Sequence, residues 1–269
     1  MKLCLTSWSF PALTLPEVAG VARALGISAV DVGLFYRASL DKAKVLADPE
    51  GAAAELAELG VELSNLYWLF GADIGERNLA DPAARQANLA DFARVLRFCR
   101  AAAIPSVMLL PGVVNPGQGR EEALAASAEA FRALLPMAQD AGVTLAVEPH
   151  VHSYCESPAL ALALVERAPG LRLVLDYAHF VCLGYRQEEI DPLAPHAAHV
   201  HLRQARPGAL QAKLAQGTIN FAAVIATLRK AGYSGYLAIE YVHQEYMNTL
   251  SEDVLTETVQ MRDLVRGLL

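Results

Sequence analysis

Short apolar runs rich in Val, Ile and Leu alternate along the whole chain with longer stretches of Ala, Leu, Glu and Arg that have helical periodicity. This alternation is typical of βαβ units, in which crossover helices join parallel strands. The apolar runs predict eight strands, at residues 3–8, 28–33, 61–67, 106–110, 143–148, 172–176, 197–203 and 236–241. The intervening stretches predict helices near 15–25, 41–59, 82–102, 120–141, 158–168, 186–194, 220–231 and 251–267.

Glycines mark the boundaries between these elements: Gly26, Gly60, Gly142 and Gly232 each follow a predicted helix and precede a predicted strand. A doubly wound sheet is the main rival fold. The sequence has no GxGxxG after the first strand and no GxxxxGK(S/T) motif, so the signatures of nucleotide-binding sheets are missing. We therefore predict an α/β fold, a single (β/α)8 TIM barrel domain over residues 1–269, which is a common length for such barrels.

The composition restricts the class of partner. A net charge of −7 and a pI of about 5.5 argue against nucleic-acid binding, which needs a basic face. No run approaches the roughly 18 apolar residues of a membrane helix. Cys4, Cys99, Cys155 and Cys182 form no CxxC pair, so reduced thiols are the default interpretation. We expect a cytoplasmic protein that binds a small molecule and neither nucleic acid nor a membrane.

Four side chains that can bind metal stand at the ends of consecutive apolar runs. Glu148 closes LAVEP, Asp176 closes LVLDY, His201 lies in HVHLR, and Glu240 closes LAIEY. Because the carboxyl ends of barrel strands converge, these groups should meet at one end of the barrel. Three carboxylates and one imidazole suit one divalent cation such as Mn²⁺, Mg²⁺, Co²⁺ or a similar ion better than a metal that prefers thiolates.

The same residues can carry proton chemistry. If Glu148 and Glu240 lie on either side of a bound sugar, one can remove a proton from carbon and the other can return it, while the cation stabilises the enediolate oxygen. His179, three residues after Asp176, is placed to hydrogen-bond a substrate hydroxyl or carbonyl. Alternation along the seventh strand puts His199, His201 and Arg203 on one face. The polar face must then point into the barrel mouth.

The polar strand-end residues follow a definite order: Glu148, Asp176-x-x-His179, His199-x-His201, the stretch QGTINF and Glu240. This order resembles that of the xylose-isomerase-like TIM barrel superfamily, in the branch of ketose 3-epimerases, hydroxypyruvate isomerase and inosose dehydratase. The resemblance implies one divalent cation, often Mn²⁺, bound by Glu148, Asp176, His201 and Glu240. It also implies that Glu148 and Glu240 are the acid/base pair and that His179 and Arg206 contact substrate. Relatives are often dimers or tetramers, so the resemblance also suggests a homo-oligomer.

The chain departs from the epimerase pattern at two places. Tyr154 stands where the epimerases have a substrate-binding acid, with Glu156 two residues away. Arg203-Gln204 replaces the Lys-Asp or Gly-Glu pair that follows the metal histidine in many relatives. An inward Arg203 could bind a carboxylate or phosphate bidentately, which favours an acidic sugar derivative as substrate.

Several residues have two interpretations on sequence alone. His199 is either part of the site or a satisfied histidine below the metal, and His150, His152 and His243 either line the mouth or are solvated. The aromatic residues at or near strand ends either form walls against a sugar or simply pack, namely Trp8, Phe10, Tyr36, Tyr67 and Trp68. All seven histidines follow residue 149, so the trinuclear site of the superfamily's apurinic endonucleases cannot be assembled.

The favoured hypothesis is a divalent-metal-dependent isomerase or epimerase that acts on a small ketose or keto-sugar through an enediolate. A lyase on the same scaffold, which would dehydrate a keto-inositol or related polyol, is the first alternative. Both reactions begin with proton abstraction beside a carbonyl, so the sequence separates them poorly. A non-catalytic sugar-binding barrel is the second alternative.

Overall fold

A computed structural model describes residues 1–244, 247, 249 and 253–269. Eight parallel strands form a closed barrel in which each strand pairs with its neighbours in the sequence and the last pairs with the first. The strands are β1 Lys2–Thr6, β2 Ala29–Val32, β3 Glu62–Tyr67, β4 Ser106–Leu109, β5 Thr144–Val147, β6 Arg172–Asp176, β7 Ala197–Leu202 and β8 Tyr236–Ile239. The predicted (β/α)8 TIM barrel is confirmed, and each predicted strand corresponds to one observed strand.

Ten α-helices surround the barrel in the part of the chain that the structure describes: α1 Leu15–Ala24, α2 Lys42–Ala47, α3 Pro49–Ala54, α4 Arg85–Ala101, α5 Arg120–Ala141, α6 Pro158–Arg167, α7 Tyr177–Val181, α8 Gln187–Ile190, α9 Phe221–Lys230 and α10 Val254–Leu268. Short 3-10 helices occupy Ser7–Ser9, Tyr36–Ala38, Ala57–Leu59, Pro82–Ala84, Asp191–His196 and Leu214–Gln216. No helix among the described residues is both long and apolar enough to cross a membrane.

Two predicted helices are interrupted. The helix predicted over 41–59 is instead α2, α3 and a 3-10 turn, because Pro49 begins a new helix and the Asp48 side chain accepts a hydrogen bond from the Gly51 N–H. The helix predicted over 186–194 is instead the short helix α8, followed directly by the 3-10 helix Asp191–His196, which contains Pro195. The first two residues of the helix predicted over 251–267 lie outside the described residues.

Helix α7 was not predicted, since its five residues are too few to show a period. It begins directly after β6, where the Asp176 Oδ1 atom accepts a 2.8 Å hydrogen bond from the Ala178 N–H. A predicted metal ligand therefore also caps a helix N-terminus.

A register shift in β7 explains which side chains enter the barrel. Leu173 pairs with Ala197, but the next residue, Val174, pairs with His199, so Ala198 is an extra residue in β7. Such a bulge changes which residues face each side. Val174 belongs to the cluster of side chains inside the barrel, and His199 therefore points inward with it. His201, paired with Asp176, follows two residues later on the same side.

Candidate active site

A cavity of about 640 Å³ opens at the carboxyl ends of the strands. Trp8, Phe35 and Tyr67 form an aromatic wall, with the three rings in mutual edge or tilted contact. Glu148 and Glu240 also belong to the lining, and Glu240 adjoins the aromatic wall through a 2.7 Å hydrogen bond from Trp8. This volume suits a small ligand, and the combination of aromatic surface with converging polar groups is typical of binding pockets.

A second cavity of about 450 Å³ opens at the other end of the barrel, beside the first residues of β3 and β8. Its lining includes Glu62 and Tyr236, and it contains none of the groups of metal-binding side chains found among the described residues. Glu148, His201 and Glu240 are instead grouped at the carboxyl end, where Glu148 and Glu240 line the larger cavity.

Glu148, His201 and Glu240 meet at the base of the larger cavity. The His201 Nδ1 atom lies 2.8 Å from Glu148 Oε1 and 3.1 Å from Glu240 Oε2. All three side chains are buried, and their ligand atoms lie within 4.8 Å of one another. Three of the four predicted ligands thus come together, each from the end of a different strand.

Asp176, the fourth predicted ligand, is held by Arg203. Its Oδ2 atom accepts hydrogen bonds from Arg203 Nε at 3.0 Å and Nη2 at 2.8 Å. The same Nη2 atom lies 3.6 Å from Glu240 Oε2. Arg203 is only 5% exposed, so its guanidinium is a buried positive charge that links two of the predicted metal ligands.

Hydrogen-bond donors face both ring nitrogens of His179. Its Nδ1 atom accepts a 3.3 Å hydrogen bond from the Val151 N–H, and its Nε2 atom lies 2.9 Å from Arg203 Nη2. Burial lowers the pKa of His179 well below its ordinary value, and the neighbouring His150 and Arg203 lower it further. This shift favours the neutral ring, which can accept a hydrogen bond at only one of the two nitrogens, and the Nε2 atom lies 3.9 Å from Glu148 and 3.6 Å from Asp176.

The two glutamates have opposite electrostatic surroundings. Burial raises the pKa of Glu148 to about 7, against the opposing effect of His201. Burial would also raise the pKa of Glu240, but Arg203 and His201 outweigh it and lower the pKa to about 2. The Trp8 Nε1–H also donates a 2.7 Å hydrogen bond to Glu240 Oε1. Paired carboxyl groups with separated pKa values are common in acid/base sites.

These residues fit a divalent cation. Glu240 Oε2 is buried and accepts no hydrogen bond in the described structure, although carboxylate oxygens are seldom left so. Burial would lower the pKa of His201, but Glu240 and Glu148 raise it well above its ordinary value. The two carboxylates therefore favour a positive charge beside them, which a cation would supply. The 2.8 and 3.1 Å separations of the donor atoms are those of adjacent ligands on a cation with bonds of about 2.1 Å.

Known proteins with the same architecture include sugar isomerases. A sequence profile described as the xylose isomerase-like TIM barrel matches residues 19–263. The chain belongs to the xylose isomerase-like TIM barrel family. The human protein named "Putative hydroxypyruvate isomerase" is 27% identical over 254 residues, covering 87% of each chain. An L-ribulose-5-phosphate 3-epimerase of Salmonella paratyphi C is 26% identical over 193 residues, covering 70% of this chain and 66% of the epimerase.

A solved structure supports the fold independently. The solved structure of the IolI protein with a bound zinc atom superposes on this chain with a TM-score of 0.77 at 18% identity, covering 100% of this chain and 99% of the other. Curated relatives of this xylose isomerase-like barrel are thus isomerases and epimerases, which supports an enzyme.

A second group of potential ligands, Glu148, His150 and His179, adjoins the first. In this xylose isomerase-like barrel, however, the Arg203 Nη2 atom lies against His179 Nε2 at 2.9 Å. A cation on that nitrogen would have to occupy the same space as the guanidinium and would be repelled by it. Of these two adjoining groups, the one around His201 is therefore the better site for a cation.

Arg206 is not brought to the site. Its side chain is exposed, its backbone pairs with Ala209 in a tight turn, and it is absent from the cavity lining, whereas Arg203 is part of it. Glu156 does not replace the acid missing at Tyr154, because it is absent from the cavity lining; its Oε1 atom accepts a 2.7 Å hydrogen bond from the His152 N–H. Tyr154 itself is completely buried in the core.

The structure decides between the two interpretations of the ambiguous residues. Trp68 and Phe10 pack against the main core, and Cys155 and Cys182 also belong to it. Six of the ambiguous side chains line the cavity, namely Trp8, Tyr36, Tyr67, His150, His152 and His243. His199 is buried outside the cavity lining, with its Nε2 atom 2.6 Å from Asp31 Oδ2.

Sequence reasoning missed Asp31. This residue is fully buried in β2, and its Oδ2 atom lies 2.6 Å from His199 Nε2 and 3.3 Å from His201 Nε2. The available signal was a carboxylate inside the otherwise apolar run AVDV.

Proposed function

We propose that the chain is a divalent-metal-dependent isomerase or epimerase that acts on a small ketose or keto-sugar. One observation carries the proposal: Glu148 and Glu240 each place a carboxylate oxygen beside His201 Nδ1, at 2.8 and 3.1 Å, and both line a cavity large enough for a sugar. The curated relatives, named as an isomerase and an epimerase, support this class of reaction.

We assign the cation to Glu148, Asp176, His201 and Glu240, with Mn²⁺ as the first candidate and Mg²⁺, Co²⁺ or Zn²⁺ as alternatives. Oxygen-rich ligand sets with one imidazole suit these ions. When bound, the cation supplies charge that polarises the substrate carbonyl and stabilises the enediolate. Asp176 already shares its Oδ2 atom with Arg203, so its contribution depends on that buried ion pair.

The two glutamates move the proton. One accepts it from the carbon beside the carbonyl, and the other delivers a proton either to the opposite face of that carbon or to the neighbouring carbon. The first outcome is epimerisation and the second is isomerisation. The Trp8 N–H holds one oxygen of Glu240, which leaves Oε2 facing His201. His179 is absent from the cavity lining and both its ring nitrogens face protein groups, so a contact with substrate would require Arg203 to move away from Nε2.

Arg203 favours a substrate with a carboxylate or phosphate group. Its guanidinium lines the cavity and lies beside Asp176 and Glu240. A divalent cation together with Arg203 would balance the charge of the three carboxylates, so an anionic substrate would not be repelled. Hydroxypyruvate, in the name of the human relative, is a keto-acid of this kind. Because Nε and Nη2 of Arg203 already face Asp176 and His179, the remaining Nη1 atom would make the charge-assisted contact with such a group.

A substrate screen in D₂O tests the proposal. Ketoses, sugar phosphates, keto-acids and inososes are incubated with and without Mn²⁺, and the products are identified by proton NMR. We expect an isomer or epimer that carries deuterium at one carbon, and we expect Glu240→Gln to abolish it. The matched control is Glu257→Gln, because Glu257 is a buried carboxylate that bonds the Leu214 N–H.

Other outcomes of the screen select the alternatives. Loss of water from an inosose would identify the lyase. Binding of sugars without turnover of any would leave a non-catalytic barrel. Full turnover by Glu240→Gln would refute the catalytic assignment.

A further inference from the structure

Asp31 forms the centre of a buried polar network directly beneath the cavity. Its Oδ1 atom accepts a 2.5 Å hydrogen bond from Ser64 Oγ and lies 3.6 Å from Cys4 Sγ. Its Oδ2 atom lies 2.6 Å from His199 Nε2 and 3.3 Å from His201 Nε2. All five side chains are buried, and Asp31 is absent from the lining of the cavity. It can therefore influence the reaction only through a neighbour.

The neighbour that matters is His201, whose two ring nitrogens face different groups. Nδ1 points toward Glu148 and Glu240, while Nε2 points toward Asp31. An imidazole binds a cation through an unprotonated nitrogen, so in a neutral ring that binds through Nδ1 the proton must be on Nε2. A buried N–H without an acceptor is costly. Asp31 Oδ2 is positioned to be that acceptor.

The other members of the network hold the Asp31 carboxylate in place. Ser64 is the extra residue at a register shift between β2 and β3, where Val30 pairs with Leu63 and Asp31 pairs with Asn65. Its hydroxyl fixes Oδ1, and His199 fixes Oδ2 from a ring nearly perpendicular to that of His201, at 89°. The carboxylate thus has little rotational freedom, and the orientation of His201 follows from it.

We propose that Asp31 is a positioning residue for the cation site: it accepts the Nε2–H of His201, fixes the ring tautomer and orients Nδ1 toward Glu148 and Glu240. His199 and Ser64 act with it by holding its carboxylate. Partners of this kind on metal-binding histidines typically contribute about 10- to 100-fold in metal affinity. This inference rests on the proposed cation site around His201.

The first test uses the wild-type protein. Nitrogen-15 NMR of the histidine rings in the Zn²⁺-loaded protein reports which nitrogen of His201 carries the proton. We expect the proton on Nε2. A proton on Nδ1 would overturn the inference whatever the behaviour of any variant.

The second test compares Asp31→Asn with Glu257→Gln, which replaces another buried carboxylate by an amide. Zn²⁺ and Mn²⁺ affinities are measured by competition with a chelating dye, after circular dichroism has confirmed folding. We expect Asp31→Asn to weaken binding about 10- to 100-fold and to change the His201 nitrogen signals, with the control unchanged. Ser64→Ala, which keeps the Asp31 carboxylate, should lower metal affinity less, and it replaces Asp31→Asn in this test if that variant does not fold.

The outcomes separate this inference from the proposed function. Wild-type protein that binds no divalent cation would refute the cation site itself. Wild-type protein that binds a cation, together with an Asp31→Asn variant that binds it equally well, would leave the site intact and reduce Asp31 to a structural partner of His199.

Discussion

Replacement of Arg203 by Gln should destabilise the metal-free protein strongly. The guanidinium makes two hydrogen bonds to Asp176 Oδ2, at 3.0 and 2.8 Å, and both partners are at least 95% buried. Breaking a buried pair by removing one partner costs about 3–5 kcal/mol, because the remaining charge stays desolvated. For a chain of this size, that loss corresponds to a fall in Tm of about 6–20 °C.

The chain offers a matched control on its surface. Arg97 makes the same kind of bidentate contact with Glu50, at 3.0 and 2.8 Å, but both side chains are more than half exposed. Arg97→Gln should cost less than about 1 kcal/mol. Arg203→Lys keeps the positive charge but cannot donate two hydrogen bonds from a planar group, so we expect an intermediate loss of unfolding free energy.

The assay is urea unfolding at constant pH, with and without saturating Mn²⁺. A divalent cation shared by Asp176 and Glu240 would replace part of the missing charge, so Mn²⁺ should reduce the cost of Arg203→Gln. If Arg203→Gln costs no more than Arg97→Gln in the metal-free protein, the guanidinium is not the counter-charge of the site. If Mn²⁺ leaves the cost unchanged, the cation does not share these carboxylates.

Three further predictions concern activity on whichever substrate the screen identifies. Glu148→Gln should lower kcat by about 10²–10⁴-fold, the usual contribution of general acid–base catalysis, and an unchanged kcat in steady-state assays would exclude Glu148 from proton transfer. Trp8→Phe removes a hydrogen bond to the Glu240 carboxylate, worth about 1.5–3 kcal/mol, so kcat should fall about 10- to 150-fold with the fold retained in circular dichroism spectra. Arg203→Gln should raise KM for an acidic substrate at least tenfold, whereas the exposed Arg206→Ala should leave KM within about twofold; the reverse order would restore the role that resemblance implies for Arg206.

The sequence predicts the barrel well because buried parallel strands and the glycines between elements are visible in the residue pattern. Their apolar runs are nearly continuous, and the glycines that end the helices adopt positive φ, as Gly142 does at +68°. The helix predicted over 41–59 shows that periodicity alone does not locate every helix boundary. Its periodicity continues across Asp48-Pro49, although that pair ends one helix and begins the next.

The site is predictable only as far as strand ends determine position. Glu148, His201 and Glu240 come together as predicted, because the carboxyl ends of barrel strands must converge. The partner of Asp176 could not be read from the sequence, because it depends on the conformation of the Arg203 side chain. Asp31 was missed for a related reason: its contacts depend on register shifts that sequence patterns do not reveal.

Titration of the chelator-stripped protein with Mn²⁺, followed by the electron paramagnetic resonance signal of the free ion, tests the central claim most directly. The ligand cluster around His201 predicts one tightly bound ion per chain in the wild type and in Glu257→Gln, and strongly weakened binding in Glu240→Gln. Glu240 Oε2 is the buried oxygen that accepts no hydrogen bond in the described structure, so replacing this carboxylate by an amide should weaken Mn²⁺ binding directly. A wild-type protein that binds no Mn²⁺, or a Glu240→Gln variant that binds it as tightly as the wild type, would contradict the cation site.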